Sequence, residues 1–428
     1  MNTNLTFTCD VCEQDTDCRI GYSNRKIQPL SFSCPHCGSL MEITLDITSA
    51  PRSKFDFKRC KPSENQPVGL FKGDNPFVDL HLDFPVRFGK YAMGMTPFMM
   101  AIKELGASSK TDMGSFEEKM IFINFRLDQL NYFHDKSSEI KLIIKLYSAK
   151  NKQLFKKRVG DFLELDQGTS LKPQDINASL YLFVSHVFRP FLRVTDVNVV
   201  IEKIVDLTSR LPPEPLNKFM ESIISSNFLN RIQKDCLKLY PEIYNAEMPM
   251  RPALFLDLVN NYEKAQMAAR VSTKDFQMYK DLYKDIAEVF ARQLILVAGI
   301  NNIIHRGDSE SFLPMSGKAL SSLDKFASKP LSDKFKYLDD CWYPLEKDVV
   351  DASVRNAIAH NNVEYNDITQ EITYFPKGGS IEPTEGQVIY FLDFMRMILV
   401  LFREVHNLHH LIKCLFYYEY LIRSKDES

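Results

Sequence analysis

Four of the nine cysteines fall into two C-x2-C pairs, Cys9/Cys12 and Cys34/Cys37, with 21 residues between the pairs. Each C-x2-C turn aims two thiolates at one centre. Two such knuckles on β-hairpins close a tetrahedral four-cysteine site of zinc-ribbon type. Pro35 and Gly38 suit the tight second knuckle, CPHCGS. Four thiolates leave no coordination position open for a substrate, so the expected zinc is structural. His36 sits inside the second knuckle and is expected to point outward. Cys18 and Cys60 lie outside the pattern and are expected to be bystanders. Zinc ribbons also bind nucleic acid or partner proteins, and the spacing does not choose between these roles.

A second constellation lies in VVDASVRNAIAHNN, residues 349–362. On a helical wheel Val350, Val354, Ala357 and Ile358 form one apolar stripe, which must face a core. Asn356 and His360 are four apart and share another face. Arg355 projects about 100° from Asn356. Ala352 and Ala359 lie between Arg355 and His360 and form a low floor that lets a substrate backbone or a second helix approach. Asn361 and Asn362 then end the helix, which places His360 at its last turn. An imidazole titrates near neutrality and serves as acid or base. A guanidinium holds a phosphoryl group through two hydrogen bonds.

This segment resembles the HEPN superfamily, whose ribonuclease members carry an Arg-x4–6-His motif on a helix, commonly with a polar residue after the Arg. Arg355, Asn356 and His360 match it as R-N-x3-H. The resemblance covers roughly residues 270–428 and implies a metal-independent endoribonuclease. In that role His360 handles protons at the ribose 2′-hydroxyl or the leaving oxygen. Arg355 stabilises the charged phosphate, and Asn356 orients the phosphate or His360. It also implies a homodimer through the C-terminal domain, with two motifs facing each other across a two-fold axis. The natural substrate is single-stranded or loop RNA, such as tRNA, because 2′-hydroxyl attack needs an unstacked backbone. By analogy alone, a zinc-bearing N-terminal half joined to such a domain fits a toxin or phage-defence effector with a regulatory protein partner. The alternative is a non-catalytic module that binds RNA, nucleotide or protein around a structural zinc.

The motif has rivals. Arg403 with His409 or His410, in REVHNLHH, matches the same spacing but lies mid-helix in an apolar run, where packing is the expected role of Arg403, His406, His409 and His410. His305 and Arg306 close a long helix, where cations are expected anyway. Lys141–Arg158 holds seven cations, no acidic residue, and the interleaved Tyr147 and Phe155. That composition suits phosphate contacts with base stacking, or simply a solvated face over Ile140, Leu142, Ile143, Ile144 and Leu146. P-loop, GxSxG and HExxH motifs do not occur.

The elements that must position these groups follow from length and pattern. The chain has 428 residues, enough for two to four domains. It is 45% hydrophobic and 25% charged, the balance of a globular protein, with a formal net charge of -2. No overall basic field draws it to nucleic acid, so such binding needs a local patch. The N-terminus lacks the pattern of a secretory signal, and the apolar runs 289–300 and 388–402 carry charges. The protein is therefore expected in the cytoplasm, with no membrane partner.

The expected fold is mainly α. A small β zinc ribbon occupies residues 1–60, with strands at Leu5–Thr8, Leu30–Ser33 and Leu40–Thr48 and a polar linker over Asp46–Lys61. A mainly helical middle region, 61–265, is a candidate for RNA or partner binding. A HEPN-like helical bundle occupies 266–428. It is expected to contain a long helix over Lys274–His305 capped by Thr273, a helix over Leu345–His360, a hairpin over Val363–Phe375 turning at Pro376, Gly378 and Gly379, and a final helix from about Pro383 to Arg423 with Thr384 near its start.

Overall fold

The computed structural model describes residues 1–107, 115–149, 151–193, 202–207, 209–259, 269–272, 276–315, 319–345, 350–376 and 385–423. The N-terminal part is built from β1 (Asn2–Cys9), β2 (Asp15–Gly21), β3 (Ile27–Ser33), β4 (Leu40–Asp46), β5 (Lys54–Lys58), β6 (Cys60–Pro62), β7 (Phe77–Leu80) and β8 (Val86–Arg87). Helices follow: α1 (Pro97–Ala107), α2 (Phe116–Asp135), α3 (Ser137–Ser148), α4 (Lys152–Leu163), α5 (Pro173–Phe188), α6 (Pro213–Ser225), α7 (Phe228–Asn245) and α8 (Glu247–Phe255). Then come β9 (Ala269–Arg270), α9 (Phe276–Arg306), α10 (Leu323–Ala327), α11 (Leu331–Lys334) and α12 (Ala352–Ala359). Strands β10 (Val363–Tyr365), β11 (Glu371–Tyr374) and β12 (Gln387–Tyr390) lead into α13 (Phe391–Tyr418).

The chain forms two compact units, each assembled from three separate stretches. The first comprises Met1–His134, Asn245–Asp281 and Asn356–Leu399. Its larger sheet has the order β6-β1-β2-β7. There β1 and β2 form an antiparallel hairpin with Leu5 opposite Cys18, while β7 runs parallel to β2. The antiparallel sheet β3-β4-β5 follows period-2 burial: Met41, Ile43 and Leu45 of β4 point inward. Phe7, Ile20, Leu30, Phe32, Val78 and Leu80 complete this core. A buried bidentate pair, Arg19 to Asp79 at 2.6 Å on both nitrogens, ties β2 to β7. Further along, Gln370 bonds both backbone groups of Val271 (2.8 and 2.9 Å), and the neighbouring Ser272 carbonyl accepts from Ser31 of β3.

The second unit comprises Asp135–Tyr244, Leu282–Arg355 and Val400–Ser428. It is helical, and its centre is aromatic. Phe188, Phe191, Tyr240, Tyr244 and Phe402 contact one another with ring centroids 4.2 to 6.4 Å apart. Gly299 on α9 admits the Phe219 ring so closely that a Cβ there would lie 2.6 Å from it. Helix α9 is long and apolar enough to cross a membrane by length and composition. However, 89% of its apolar window is buried inside the protein, as befits a core helix.

The expected fold class needs correction. The chain is mainly helical, as expected, but it does not divide into one β zinc ribbon and an all-helical C-terminal bundle. Among the described residues there are four sheets, and the C-terminal segment contributes β9 to β12, including the sheet β10-β11-β12. Its last helix also bonds to earlier parts of the chain. In the second unit, Arg403 of α13 donates to the Phe191 carbonyl at 2.7 Å, and His406 and His409 bond Tyr240 of α7. The physical reason is that α13 is apolar on nearly all sides, so it needs walls from earlier parts of the chain. Hydrophobic periodicity shows that a helix is buried but not against what.

Several local expectations also change. The linker over Asp46–Lys61 contains β5 and the start of β6. The final helix begins at Phe391 because Gln387–Tyr390 pairs with β11. Thr273, Gly378, Gly379, Pro383 and Thr384 lie outside the described residues.

Candidate metal centre and candidate RNA site

The two cysteine knuckles are built alike. In the first, the Cys9 N–H donates to the Gln14 carbonyl and the Glu13 N–H to the Cys9 carbonyl (3.1 and 2.9 Å). In the second, Cys34 N–H donates to Ser39 and Gly38 N–H to Cys34 (2.8 and 2.9 Å). Glu13 and Gly38 occupy equivalent left-handed positions, with φ of 58° and 77°. Gly38 is the residue such a turn prefers, and Glu13 accepts the strain.

The knuckles bring the sulfurs together. Cys9 Sγ lies 3.8 Å from Cys37 Sγ, and Cys12 Sγ lies 3.7 Å from Cys34 Sγ. All four lie within 4.8 Å of one another, so this site could hold a metal ion. A tetrahedron with metal–sulfur bonds of about 2.3 Å has edges of about 3.8 Å, so the donors fit. Burial pushes the Cys34 thiol up to about 12, whereas the hydroxyl and backbone N–H of Ser39 pull Cys37 down to about 6. A buried thiolate at Cys34 therefore calls for a cation beside it. His36 is exposed and turned away, its ring nitrogen 3.1 Å from the Asp15 carbonyl. Cys18 and Cys60 are buried outside the cluster, and desolvation raises both thiols, Cys60 to about 12.

Helix α12 carries the R-N-x3-H motif. Asp351 caps it, accepting from the N–H groups of Ser353 (2.8 Å) and Val354 (3.1 Å). This cap explains why the helix starts at Ala352. At the other end Asn362 N–H reaches the Ala357 carbonyl (2.8 Å) and Asn361 N–H the Ile358 carbonyl (3.2 Å), with Asn361 at φ 58°. That is a Schellman closure with Asn in the place glycine usually takes. Val350, Val354, Ala357 and Ile358 are buried, as the wheel requires. Asn356, Ala359 and His360 are exposed, and Arg355 is half-buried. Arg355 belongs to the second unit, and Asn356 and His360 belong to the first.

Comparison with known families, curated proteins and solved structures gives no match. The function must therefore be argued from the sites themselves.

Two residues that the sequence pattern missed act on this helix. Glu288 accepts from Arg355 at 2.5 Å, with the two side chains 51% and 26% exposed. Lys280, itself buried, donates its ammonium to Asn361 Oδ1 at 2.9 Å, next to His360. A signal existed for Lys280. It interrupts the stripe Phe276, Tyr279, Tyr283 on α9, and a lysine on an apolar stripe needs a buried acceptor.

The rival residues are structural. His406, His409 and His410 are buried, and desolvation pushes all three imidazoles down, His406 to about 4. The Tyr240 hydroxyl, 2.9 Å from Nδ1 of both His406 and His409, donates to one and accepts from the other. His305 meets the Asp340 carbonyl at 3.1 Å, and Arg306 forms a two-bond pair with Asp339 (2.8 and 3.0 Å). The basic stretch divides. Lys156 is buried on the Ser170 carbonyl (2.8 Å), and the groove beside Lys156 and Lys157 also carries Asp161, Glu164 and Asp166. Lys150 lies outside the described residues.

Proposed function

We propose that this protein is an RNA-cleaving enzyme of HEPN-like chemistry with a structural zinc held by Cys9, Cys12, Cys34 and Cys37. The observation that carries the reading is the exposed face of α12. Asn356 and His360 stand one turn apart on an anchored helix, with the Lys280 ammonium fixed on the adjacent Asn361. In this reading the ribose 2′-oxygen attacks phosphorus and the 5′-oxygen leaves. His360 takes the hydroxyl proton, and an imidazolium returns one to the leaving oxygen. In this reading Arg355 offsets the charge on the phosphorane. One imidazole cannot be base and acid at once, so a second His360 from another copy of the chain completes the pair. The low Ala352 and Ala359 surface lets two such helices approach across a two-fold axis.

The zinc identity rests on the donor set: four thiolates with closed tetrahedral spacing are the usual structural zinc site. Elemental analysis of purified protein is expected to find one zinc per chain, and none in Cys34→Ser. Protein folded without bound metal would overturn it.

The catalytic reading is tested by incubating the protein with total RNA and no added divalent metal. Products ending in 2′,3′-cyclic phosphate are expected, absent in His360→Ala. Equal cleavage by His360→Ala overturns it. The Arg355–Glu288 pair favours a second reading, in which Arg355 is a bracket that fixes α12 and the domain only binds RNA, nucleotide or protein. Uncleaved RNA retained on the folded protein would select that reading.

A further inference from the structure

A groove of about 480 Å³ lies in the second unit, where α7 presents Phe228, Arg231, Lys234, Asp235 and Lys238 and α9 presents Arg292. Its floor is the buried Ile232. Four cations face one carboxylate there. Asp235 is shared by Arg292 at 2.6 Å and Lys238 at 3.2 Å, so it neutralises at most part of them. Among the described residues, the side chains of Arg231 and Lys234 have no ion-pair partner. The positions 228, 231, 234/235 and 238 follow the i, i+3, i+7, i+10 spacing of one helix face, so the cations form a row about 10 Å long. Lys152 stands near Lys234, its ammonium bonded to the Tyr147 carbonyl. Lys152 lies near enough that Lys234, after burial, helps hold its ammonium below the usual lysine range, and that ammonium sits 4.5 Å from the centre of the Tyr147 ring. Like charges left side by side without a counter-ion are a cost to the folded protein, and a polyanion would remove it.

We propose that this groove binds the phosphate backbone of single-stranded RNA. The choice of a strand over a lone anion rests on shape and composition. The cations are spread along a row rather than converging on a point. The half-buried Phe228 ring stands at one end, where a base can stack. The groove beside Lys157 has nearly the same size, but its three carboxylates disfavour phosphate. Glu288 lies one helical turn before Arg292 on α9 and holds Arg355 at 2.5 Å. Arg292 and the Arg355 partner Glu288 are thus about 6 Å apart along the helix axis. This inference rests on the RNA-cleaving reading for its ligand class but not on the chemistry of His360.

The test is equilibrium binding of a fluorescein-labelled 12-nucleotide 2′-O-methyl oligouridylate, which lacks the attacking hydroxyl and stays intact. In the full-length protein, Arg231→Glu/Lys234→Glu is expected to weaken binding at least tenfold. It should also reduce the slope of log affinity against log salt by about 1.4, at roughly 0.7 for each single-strand phosphate that no longer meets a cation. Phe228→Ala is expected to weaken binding several-fold without changing that slope. Circular dichroism checks that each variant is folded. Wild-type affinity and slope in the folded double variant would overturn the proposal. So would uridine monophosphate binding as tightly as the 12-mer, because the groove would then be a mononucleotide site. If groove variants bind normally while the wild type still cleaves RNA, the groove fails and the catalytic reading stands. Normal groove binding without any cleavage leaves the opposite result.

Discussion

Two places in this chain pair an arginine with a histidine across four to six intervening residues, and they have opposite physics. Arg403 with His409 and His410 lies within α13, buried, with Arg403 on the Phe191 carbonyl and the rings against Tyr240 and Tyr181. Arg355 with His360 lies at the end of a short helix, where the imidazole is exposed and the guanidinium is half-buried. The first set can exchange neither proton nor phosphate with solvent. The difference teaches that spacing nominates residues and burial decides what they do. A histidine becomes useful to an incoming strand only where the helix ends and the core stops.

The largest expected effect separates the two sets by pH. His406, His409 and His410 are held neutral by burial, and His406 and His410 pack with ring centroids 5.1 Å apart. The groups facing them are Tyr240 and Tyr181, with Lys413 adding repulsion at His410. None of these stabilises an imidazolium. Their folded pKa values lie below the unfolded value near 6.5, so the unfolded chain binds more protons as pH falls. Stability is then fully present above about 6.5 and is lost on acidification toward about 4 for His406. Each group contributes about 1.4 kcal/mol per pH unit, so three give about 4 kcal/mol per unit. Urea midpoints at pH 7.5 and 5.5 should show this loss, and His406→Gln/His410→Gln should flatten it. A midpoint that does not move with pH would show that the cluster is not sealed from solvent.

The next effect is on the arginines. Arg403→Ala removes a buried donor and leaves the Phe191 carbonyl without it, an expected loss of about 2–4 kcal/mol. Arg355→Ala breaks a pair whose glutamate is half exposed, so the expected loss is below about 1 kcal/mol. Equal losses in denaturant titrations would erase the contrast between the two sets.

Legibility followed the same divide between local and distant causes. The cysteine centre could be read because each knuckle is closed by hydrogen bonds within six residues, Cys9 to Gln14 and Cys34 to Ser39. The apolar stripe of α12 and its asparagine stop were also local. What acts on that helix was not. Lys280 and Glu288 come from α9, 81 and 67 residues from the groups they hold. The sheets show the same limit. The parallel pairing of β2 with β7 joins Cys18 to Val78 across sixty positions, with no turn signal to announce it. Gln387–Tyr390 flows into the apolar run of α13, and only pairing with β11 makes it a strand. The groove row on α7 was hidden because Arg231, Lys234 and Lys238 are spaced through a helix rather than clustered, unlike the basic stretch that drew notice and proved mixed.

The smallest expected change in stability is also the sharpest probe of the exposed site. Glu288→Gln removes the charge that holds Arg355 but keeps the side-chain shape. Glu288 is half exposed and its pair lies at the surface, so the folding free energy should move by less than about 1 kcal/mol. The consequence for function differs between the two readings of Arg355. If the guanidinium serves phosphate, the glutamate competes with substrate for it, and neutralising Glu288 should lower KM for RNA and steepen the salt dependence of binding. If Arg355 only brackets α12, losing the pair loosens the helix, and RNA affinity should fall or stay level while the salt dependence does not change. Arg355→Lys separates the two further. Lysine keeps a charge near Glu288 but cannot grip a phosphate with two parallel bonds, so cleavage should fall while α12 stays in place. Steady-state cleavage of a short RNA at two salt concentrations, with melting curves alongside, measures both effects in one set of proteins.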